Sequence, residues 1–209
     1  MRIAFCLALT FVLLVGLLPA CTGPAGPAGP AGPQFVLTSS AFVEKGIIPV
    51  KYTGAGANAS PPLSWSGVPK GTKSFALGMI DPDIPWGQEV PVYGKMPPPG
   101  TQPGDFFIHW MVSDIPVTVT SLPEGASPKN MPAGSKELKS SFALFNMPAN
   151  QYGGPAPPAG MKAHAYVFTI YALDVESLGL KAENDYTAFT KAMADHVLAT
   201  ASLTGYFGQ

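Results

Sequence analysis

Two acidic and two imidazole side chains stand out in this chain, because each lies inside or at the end of an apolar segment. Asp81-Pro82-Asp83 follows one such segment, His109 lies inside a second, and His164-Ala165-Tyr166 opens a third. Carboxylates, imidazoles and a phenol can together donate and accept hydrogen bonds and transfer protons. In a chain in which only 12% of the residues are charged, we expect them to form one small site.

The alternation of side chains along a strand predicts which neighbours of the first histidine share its orientation. Successive residues of a strand point to opposite faces of the sheet. Phe107, His109 and Met111 are therefore expected on one face, and Trp110 is expected on the other.

The same rule places His164 and Tyr166 side by side at the start of their strand. Asp81 and Asp83 are also two residues apart, and the extended backbone around Pro82 lets both carboxylates project to one side. Each motif also has a structural interpretation: acids after a strand often cap a turn, and a histidine among aromatic residues is often bonded to a carbonyl group in a core. The combination of these motifs with long Pro/Gly-rich loops favours a site.

The elements that must position these residues are mostly strands. Short runs rich in aromatic and β-branched residues, bounded by Gly, Pro, Asn or Ser, predict strands over residues 34–41, 50–52, 74–80, 106–112, 140–145 and 165–173. From Asp185 to Thr200, the apolar residues recur at three- and four-residue steps, which predicts one C-terminal amphipathic helix packed on a sheet. Residues 86–105 and 146–162 are too long and too rich in Pro and Gly for simple turns.

The first 33 residues have the pattern of an exported, membrane-anchored protein. An apolar run after Arg2 predicts a signal peptide over residues 1–20, and Leu18-Pro19-Ala20-Cys21 resembles a lipobox that would leave Cys21 lipidated. An ordinary secretory signal is the alternative. Residues 21–33 repeat Gly-Pro-Ala and predict a stiff tether, since a collagen helix needs many more repeats. Residues 34–209 have the length of one domain. We expect this domain to be anchored at the cell envelope through the lipid on Cys21.

Composition excludes some functions. The only arginine is Arg2, and the net charge is −1, so nucleic-acid binding is not expected. Cys6 leaves with the signal and Cys21 would carry lipid, which leaves no thiol for a disulfide or a metal in the domain. We expect neither a cofactor nor a metal.

Several motifs, in order, resemble the phosphatidylethanolamine-binding protein family and its bacterial branch, the Raf kinase inhibitor-like proteins. The resemblance covers nearly the whole domain. The segments that carry it are Phe35-Val36-Leu37-Thr38-Ser39, Ile48-Pro49, Tyr52-Thr53, Asn58-Ala59-Ser60-Pro61-Pro62-Leu63-Ser64-Trp65, Asp81-Pro82-Asp83-Ile84-Pro85, His109-Trp110, Tyr152-Gly153-Gly154-Pro155, Tyr171-Ala172-Leu173-Asp174 and Leu203-Thr204-Gly205.

The resemblance implies a mainly β, sandwich-like fold with a large central antiparallel sheet, Greek-key connections and a C-terminal helix. It also implies a surface pocket for phosphate or a phosphorylated head group. By residue matching, the pocket would use Asp81, Asp83, His109, His164 and Tyr166, with Gly154 and Pro155 at its rim. No lysine lies in these motifs, so we expect weak anion binding that strengthens as the histidines become protonated between pH 8 and pH 6.

The chain departs from the family's usual pattern at three places. Cysteines that many bacterial relatives carry near residues 54–56 and 155–157 are absent, and Ala165 replaces a usual arginine. The segment 86–104 is longer than usual and contains Pro97-Pro98-Pro99, which would suit a lid or a partner-binding lip.

Three classes of function remain open from the sequence. The first is a binding module for small anionic or phosphorylated ligands. The second is a protein inhibitor or signalling partner that acts through surface loops. The third and least favoured is a metal-dependent hydrolase, since the Asp/His set lacks a nucleophile elbow or a His-Glu-x-x-His pair.

Overall fold

Strands make up most of the regular structure in the part of the chain that the computed structural model describes, residues 34–83 and 106–209. The strands are β1 Val36–Thr38, β2 Gly46–Ile47, β3 Leu63–Ser66, β4 Ser74–Asp81, β5 Phe107–Pro116, β6 Ser121–Leu122, β7 Lys136–Glu137, β8 His164–Leu173 and β9 Val197–Phe207. The helix is α1, Tyr186–Met193, and two 3-10 helices span Val50–Tyr52 and Ser141–Phe145.

The strands form two sheets. Six strands form a large sheet in the order β2-β9-β8-β4-β5-β7, and three form a small sheet in the order β1-β3-β6. Neighbouring strands are antiparallel except β2 and β9, which are parallel. The central strands β4, β5 and β8 are buried almost throughout, because both faces of the large sheet are covered. This explains why their sequences are nearly continuous apolar runs.

Apolar clusters cover the two faces of the large sheet. One cluster joins the two sheets and includes Trp65 from the small sheet and Phe75 and Trp110 from the large sheet. The other cluster includes Tyr186 and Phe189 of α1. Full burial of each such side chain contributes about 1.5–3 kcal/mol, so both layers stabilise the large sheet. The predicted fold, a mainly β sandwich-like domain with a large central sheet and a C-terminal helix, is confirmed.

Three sequence-based element predictions are wrong. Residues 50–52 and 141–145 form 3-10 helices instead of strands. The C-terminal helix begins as predicted, with Asp185 accepting a hydrogen bond from the Ala188 N–H at 3.1 Å, but it ends at Met193. The residues after it form β9, which pairs with β8 along its length and buries Leu203 in the core. Long-range pairing with a buried strand outweighs the local helical pattern there.

A β-bulge in β5 determines the orientation of His109. Met79 and Ile80 are adjacent on β4, yet their partners on β5 are residues 110 and 108, so His109 has no partner in this register. A bulge interrupts side-chain alternation and re-aims a side chain. The His109 ring contacts Tyr166, which belongs to the same cluster as Trp110. The predicted opposite orientation of His109 and Trp110 is therefore wrong.

Several sequence predictions fall on residues outside the described ranges. These are the signal peptide 1–20, the lipidated Cys21 with its tether 21–33, and the lid or lip at 86–104. Within the described ranges, no helix combines the length and the apolar character needed to cross a bilayer.

Candidate functional site

A cavity of about 380 Å³ opens where β4 ends and where β5 and β8 begin. Antiparallel pairing brings these three strand ends to one edge of the sheet. We call its polar residues the polar floor: Asp81, His109, His164 and Tyr166. We call its apolar residues the apolar wall: Phe107, Phe142, Phe145, Met147, Ala156, Pro157, Pro158 and Met161. Four of the five side chains that the resemblance implied for the pocket therefore line one cavity.

Asp81 and His164 form a buried pair in the floor. His164 Nδ1 lies 2.8 Å from Asp81 Oδ2, and each side chain is 2% exposed. The other carboxylate oxygen of Asp81 accepts a hydrogen bond from the Asp83 N–H at 2.8 Å. Burial raises the pKa of Asp81, and the hydrogen bond from His164 partly offsets this effect. The carboxylate thus orients the imidazole with its Nε2 toward the cavity.

His109 is held from the opposite side of the floor. Its Nδ1 lies 2.7 Å from the Gly153 carbonyl oxygen, and its ring packs edge-on against Phe107, Phe142 and Tyr166. Burial lowers the pKa of His109 to about 4, and the Gly153 carbonyl only partly offsets this effect. His109 thus stays neutral between pH 8 and pH 6, and the expectation that its protonation strengthens binding in that range is wrong.

Tyr166 completes the floor. It is fully buried, and its ring centroid lies 5.2 Å from that of His109. Burial raises the pKa of the phenol, and the negative charge of nearby Asp81 adds to this effect. The hydroxyl therefore keeps its proton at any physiological pH and remains able to donate a hydrogen bond.

Three atoms of the floor meet no hydrogen-bond partner among residues 34–83 and 106–209. They are Nε2 of His109, Nε2 of His164 and the hydroxyl oxygen of Tyr166. An unpaired buried polar group costs about 1–3 kcal/mol, and such groups are uncommon in native proteins. All three residues belong to the lining of one cavity, which makes this cavity the candidate site for a polar ligand.

The other predicted site residues, Asp83, Gly154 and Pro155, do not belong to the cavity lining. The carboxylate of Asp83 accepts a hydrogen bond from the Ala165 N–H at 2.7 Å and therefore ties the end of β4 to the start of β8. The Gly154 N–H donates to Asn58 Oδ1 at 2.6 Å, and the Pro155 carbonyl accepts from the Gly54 N–H at 2.8 Å. Residues 156–158, directly after them, line the cavity instead.

A partly buried network that sequence reasoning missed positions the loop beside the cavity. Glu137 accepts hydrogen bonds from Trp110 Nε1 at 2.7 Å and from the Ser127 hydroxyl. The Ser127 oxygen in turn accepts from the Tyr152 N–H at 2.7 Å, and the next residue supplies the carbonyl that holds His109. Burial raises the pKa of Glu137. Glu137 lies in no recognisable motif, so only the fold reveals its role.

The apolar wall was also missed. Phe145 and Met147 are about half exposed, at 51% and 52%, whereas no residue of the polar floor is more than 4% exposed. The cavity is therefore polar at its base and apolar toward solvent. Among the described residues, no group of three or more His, Cys, Asp or Glu side chains is arranged to hold a metal ion.

Replacing Asp81 by Ala is expected to lower the free energy of unfolding by about 2–4 kcal/mol, since it leaves the Asp83 N–H and His164 Nδ1 unpaired in a buried place. Asp81→Asn keeps an oxygen and the side-chain volume and should cost clearly less. Urea unfolding of both variants measures the difference. Equal stability of the Ala variant and the natural protein would show that this pair does not support the site.

Comparison with known proteins agrees with the fold. The chain matches the family model "Phosphatidylethanolamine-binding protein" over residues 38–208. It is 34% identical over 152 residues to the UPF0098 protein YbcL of Escherichia coli, a match that covers 71% of each chain. It is 35% identical over 169 residues to a UPF0098 protein of Aquifex aeolicus, covering 81% of this chain and 85% of that protein.

Solved structures give the same result. The crystal structure of Escherichia coli YbcL, described as a member of the mammalian PEBP family, superimposes with a TM-score of 0.70 at 31% identity. That match covers 84% of this chain and 98% of YbcL. A phosphatidylethanolamine-binding protein homologue from Chlamydia trachomatis gives 0.66 at 32% identity, over 85% of this chain and 99% of the homologue. The chain therefore belongs to the phosphatidylethanolamine-binding protein family, with the bacterial YbcL-type proteins among its relatives.

Proposed function

We propose that this protein is a binding module, not an enzyme, for small anionic or phosphorylated ligands of the phosphate or phospholipid head-group type. The observation that carries the proposal is that His109, His164 and Tyr166, each with one buried polar atom that has no hydrogen-bond partner among the described residues, line one cavity. A small anion that carries both protonated and unprotonated oxygen atoms can donate and accept hydrogen bonds within a few ångströms, which suits a cavity lined by these three side chains.

The charges around the cavity support weak rather than tight binding. Among the described residues no lysine lines the cavity. Lys162 lies near Asp83, which is outside the cavity lining: its Nζ lies 4.0 Å from Asp83 Oδ1, and its side chain is 74% exposed. An exposed ion pair of this kind contributes little. We therefore expect weak binding, in which bound ligand exchanges readily with free ligand.

We further propose that the domain works at the cell envelope, held by lipid on Cys21. The support is the lipobox-like sequence that ends at Cys21 and the Gly/Pro/Ala tether that follows it. The apolar wall fits this location, since a ligand with an acyl chain or another apolar group would cover Phe145 and Met147 while its head group occupies the floor.

A protein partner is the second candidate. Phe145, Met147 and Met161 are exposed large apolar residues of the cavity lining, and exposed apolar patches often mark interaction surfaces. In this alternative the same face would bind a protein in the envelope or outside the cell instead of a small molecule.

Ligand-induced thermal stabilisation tests the proposal. Phosphate and phosphoethanolamine at increasing concentration should raise the melting temperature of the natural protein, because a ligand that binds only the folded state stabilises it. The increase should vanish in a His109→Ala, His164→Ala double variant, each protein being compared with its own ligand-free form. His196→Ala is the matched control, since His196 is 42% exposed, paired with Asp174 and absent from the cavity lining. No increase with any phospho-compound would overturn the proposal and favour a protein partner.

A further inference from the structure

A second cavity, of about 330 Å³, lies beside the 3-10 helix Ser141–Phe145. The helix also lines the cavity with the polar floor, here called the first cavity, but the two linings have no residue in common. Sites for small molecules begin at about this volume. The polar lining of the second cavity includes Lys139, Ser140 and Asp185, and its apolar lining includes Ile108, Ala143 and Leu144.

Ser140 supplies a buried hydroxyl group that the described protein groups do not use. It is the N-cap of the 3-10 helix, a position where a serine side chain commonly accepts a hydrogen bond from a backbone N–H of the first turn. Ser140 makes no such bond. The residue is 4% exposed, and its hydroxyl has no hydrogen-bond partner among residues 34–83 and 106–209. Because buried polar groups are rarely left unpaired in native proteins, this hydroxyl in the lining indicates a place for a polar group of a ligand.

The second cavity also has one charged group of each sign. Lys139 and Asp185 are both exposed, and neither forms an ion pair among the described residues. Asp185 Oδ1 accepts a hydrogen bond from the Ala188 N–H at 3.1 Å, which leaves Oδ2 for a ligand. A simple anion would be attracted by Lys139 and repelled by Asp185, and a simple cation would meet the reverse. A ligand that carries both charges gains from both side chains.

We propose that the second cavity binds a small zwitterion of the amino-acid type with an apolar side chain. The carboxylate of the ligand meets the Lys139 ammonium group and the Ser140 hydroxyl, and its ammonium group meets the Asp185 carboxylate. Its side chain packs on the apolar lining. Water screens the two exposed charges, so the affinity is weak. This inference goes beyond the proposed function and does not depend on the first cavity.

A nuclear magnetic resonance titration of the ¹⁵N-labelled protein with four probes tests the inference. Leucine should bind at least roughly fivefold more tightly than 4-methylpentanoate, which lacks the ammonium group, or 3-methylbutylamine, which lacks the carboxylate. The backbone signals of residues 139–144 should move with leucine. The fourth probe, leucyl-leucine, carries the same two charged groups farther apart: tighter binding than leucine would identify a short peptide as the source of the zwitterion, and weaker binding a free amino acid. Equal affinities for leucine, the acid and the amine, or binding of none of them, would overturn the inference.

Two substitutions should have reciprocal effects on these probes. Lys139→Met should weaken the binding of leucine and leave that of 3-methylbutylamine unchanged. Asp185→Asn retains a residue that caps helices, and it should weaken leucine and leave 4-methylpentanoate unchanged. The matched control is Lys70→Met, because Lys70 is exposed and absent from the lining; it should affect none of the probes.

The first cavity provides a further control. The His109→Ala, His164→Ala double variant should still bind leucine, whatever becomes of its binding to phosphate and phosphoethanolamine. Thermal unfolding verifies that each variant is folded. Leucine binding that is lost in this double variant and kept in Lys139→Met would place the zwitterion in the first cavity and overturn the inference.

Ser140→Ala separates a role in binding from a role in the fold. The variant should bind leucine and 4-methylpentanoate several-fold more weakly, because both carry the carboxylate. Its melting temperature should not fall, since the hydroxyl has no partner among the described residues to lose. A lower melting temperature with unchanged binding would show that the hydroxyl serves the fold, and would contradict its assignment to the ligand.

Discussion

The free energy of unfolding should fall by roughly 3 kcal/mol from the His109 contribution alone as the pH drops from 6.5 to 4. His109 is fully buried, and burial lowers its pKa from 6.5 to about 4. Each unit of pKa difference between the folded and unfolded states is worth about 1.4 kcal/mol. Between these two pH values the unfolded chain binds a proton that the folded protein excludes, so stability present above pH 6.5 is progressively lost on acidification.

The test is urea unfolding across this pH range for the natural protein and for His109→Gln, whose side chain does not titrate. Asp81 and Glu137 have raised pKa values, so each binds a proton more readily in the folded protein than in the unfolded chain. As the pH falls below their folded-state pKa values, these two groups stabilise the folded protein and oppose the effect of His109. The difference between the two proteins isolates His109. Parallel pH profiles would show that the imidazole is not held neutral by burial.

The Gly154→Ala substitution should lower the free energy of unfolding by about 2–4 kcal/mol and weaken ligand binding at the same time. A Cβ at this position would lie 2.5 Å from the Tyr52 carbonyl oxygen, 2.7 Å from Asn58 Oδ1 and 2.8 Å from Thr53 Cα. Two of these atoms belong to the backbone, so relief requires the two loops to separate. The Gly154 N–H would also lose Asn58 as its acceptor.

Gly160 in the same loop supplies the control for this prediction. It has φ of +83°, and nothing lies within 4 Å of a Cβ built there. Asn tolerates this left-handed region, so Gly160→Asn should change stability by less than about 1 kcal/mol. Similar melting temperatures for Gly154→Ala and Gly160→Asn would contradict the tight packing of the two loops.

Local patterns predicted the buried central strands and the start of the helix well. β4 and β8 appear within one residue of the expected bounds, because long apolar runs between Gly, Pro and polar clusters have few other ways to be buried. Position 185 was expected as a possible helix cap, and Asp185 caps α1. The family resemblance supplied what spacing cannot, which is the convergence of residues 81, 109, 164 and 166 on one cavity.

The failures arise where tertiary structure overrides local pattern. The register shift at His109 places Met111 in the cluster beneath α1, although alternation predicted that it would share a face with His109. The helical pattern in the sequence continues past Val197 into the first residues of β9. These residues nevertheless form a strand, because β9 pairs with β8 along its length. Glu137 lies in the two-residue strand β7, and the apolar wall apart from Phe107 comes from a 3-10 helix and loop segments. Segments of these kinds have no periodic sequence signature.

The tautomeric states of the two cavity histidines connect the fold to its chemistry. The Gly153 carbonyl and the Asp81 carboxylate hold the Nδ1 atoms, so a ligand of the proposed kind would meet the Nε2 atoms of both rings. Had the Nδ1 atoms faced the cavity instead, each Nε2 would be available to protein groups and the site would have a different hydrogen-bond pattern. Small backbone features, a register shift and one carbonyl, therefore fix which nitrogen of His109 is left without a protein partner.

The most direct test of the binding site is nuclear magnetic resonance of protein labelled with ¹⁵N-histidine, titrated with phosphoethanolamine at pH 6. We predict that the Nε2 signals of His109 and His164 move with one common affinity, while both ring signals of His196 stay in place. His109 should show Nδ1–H as its only ring N–H before and after binding. Movement confined to His196, or no movement of any ring signal at saturating ligand, would contradict the assignment of this cavity as the binding site.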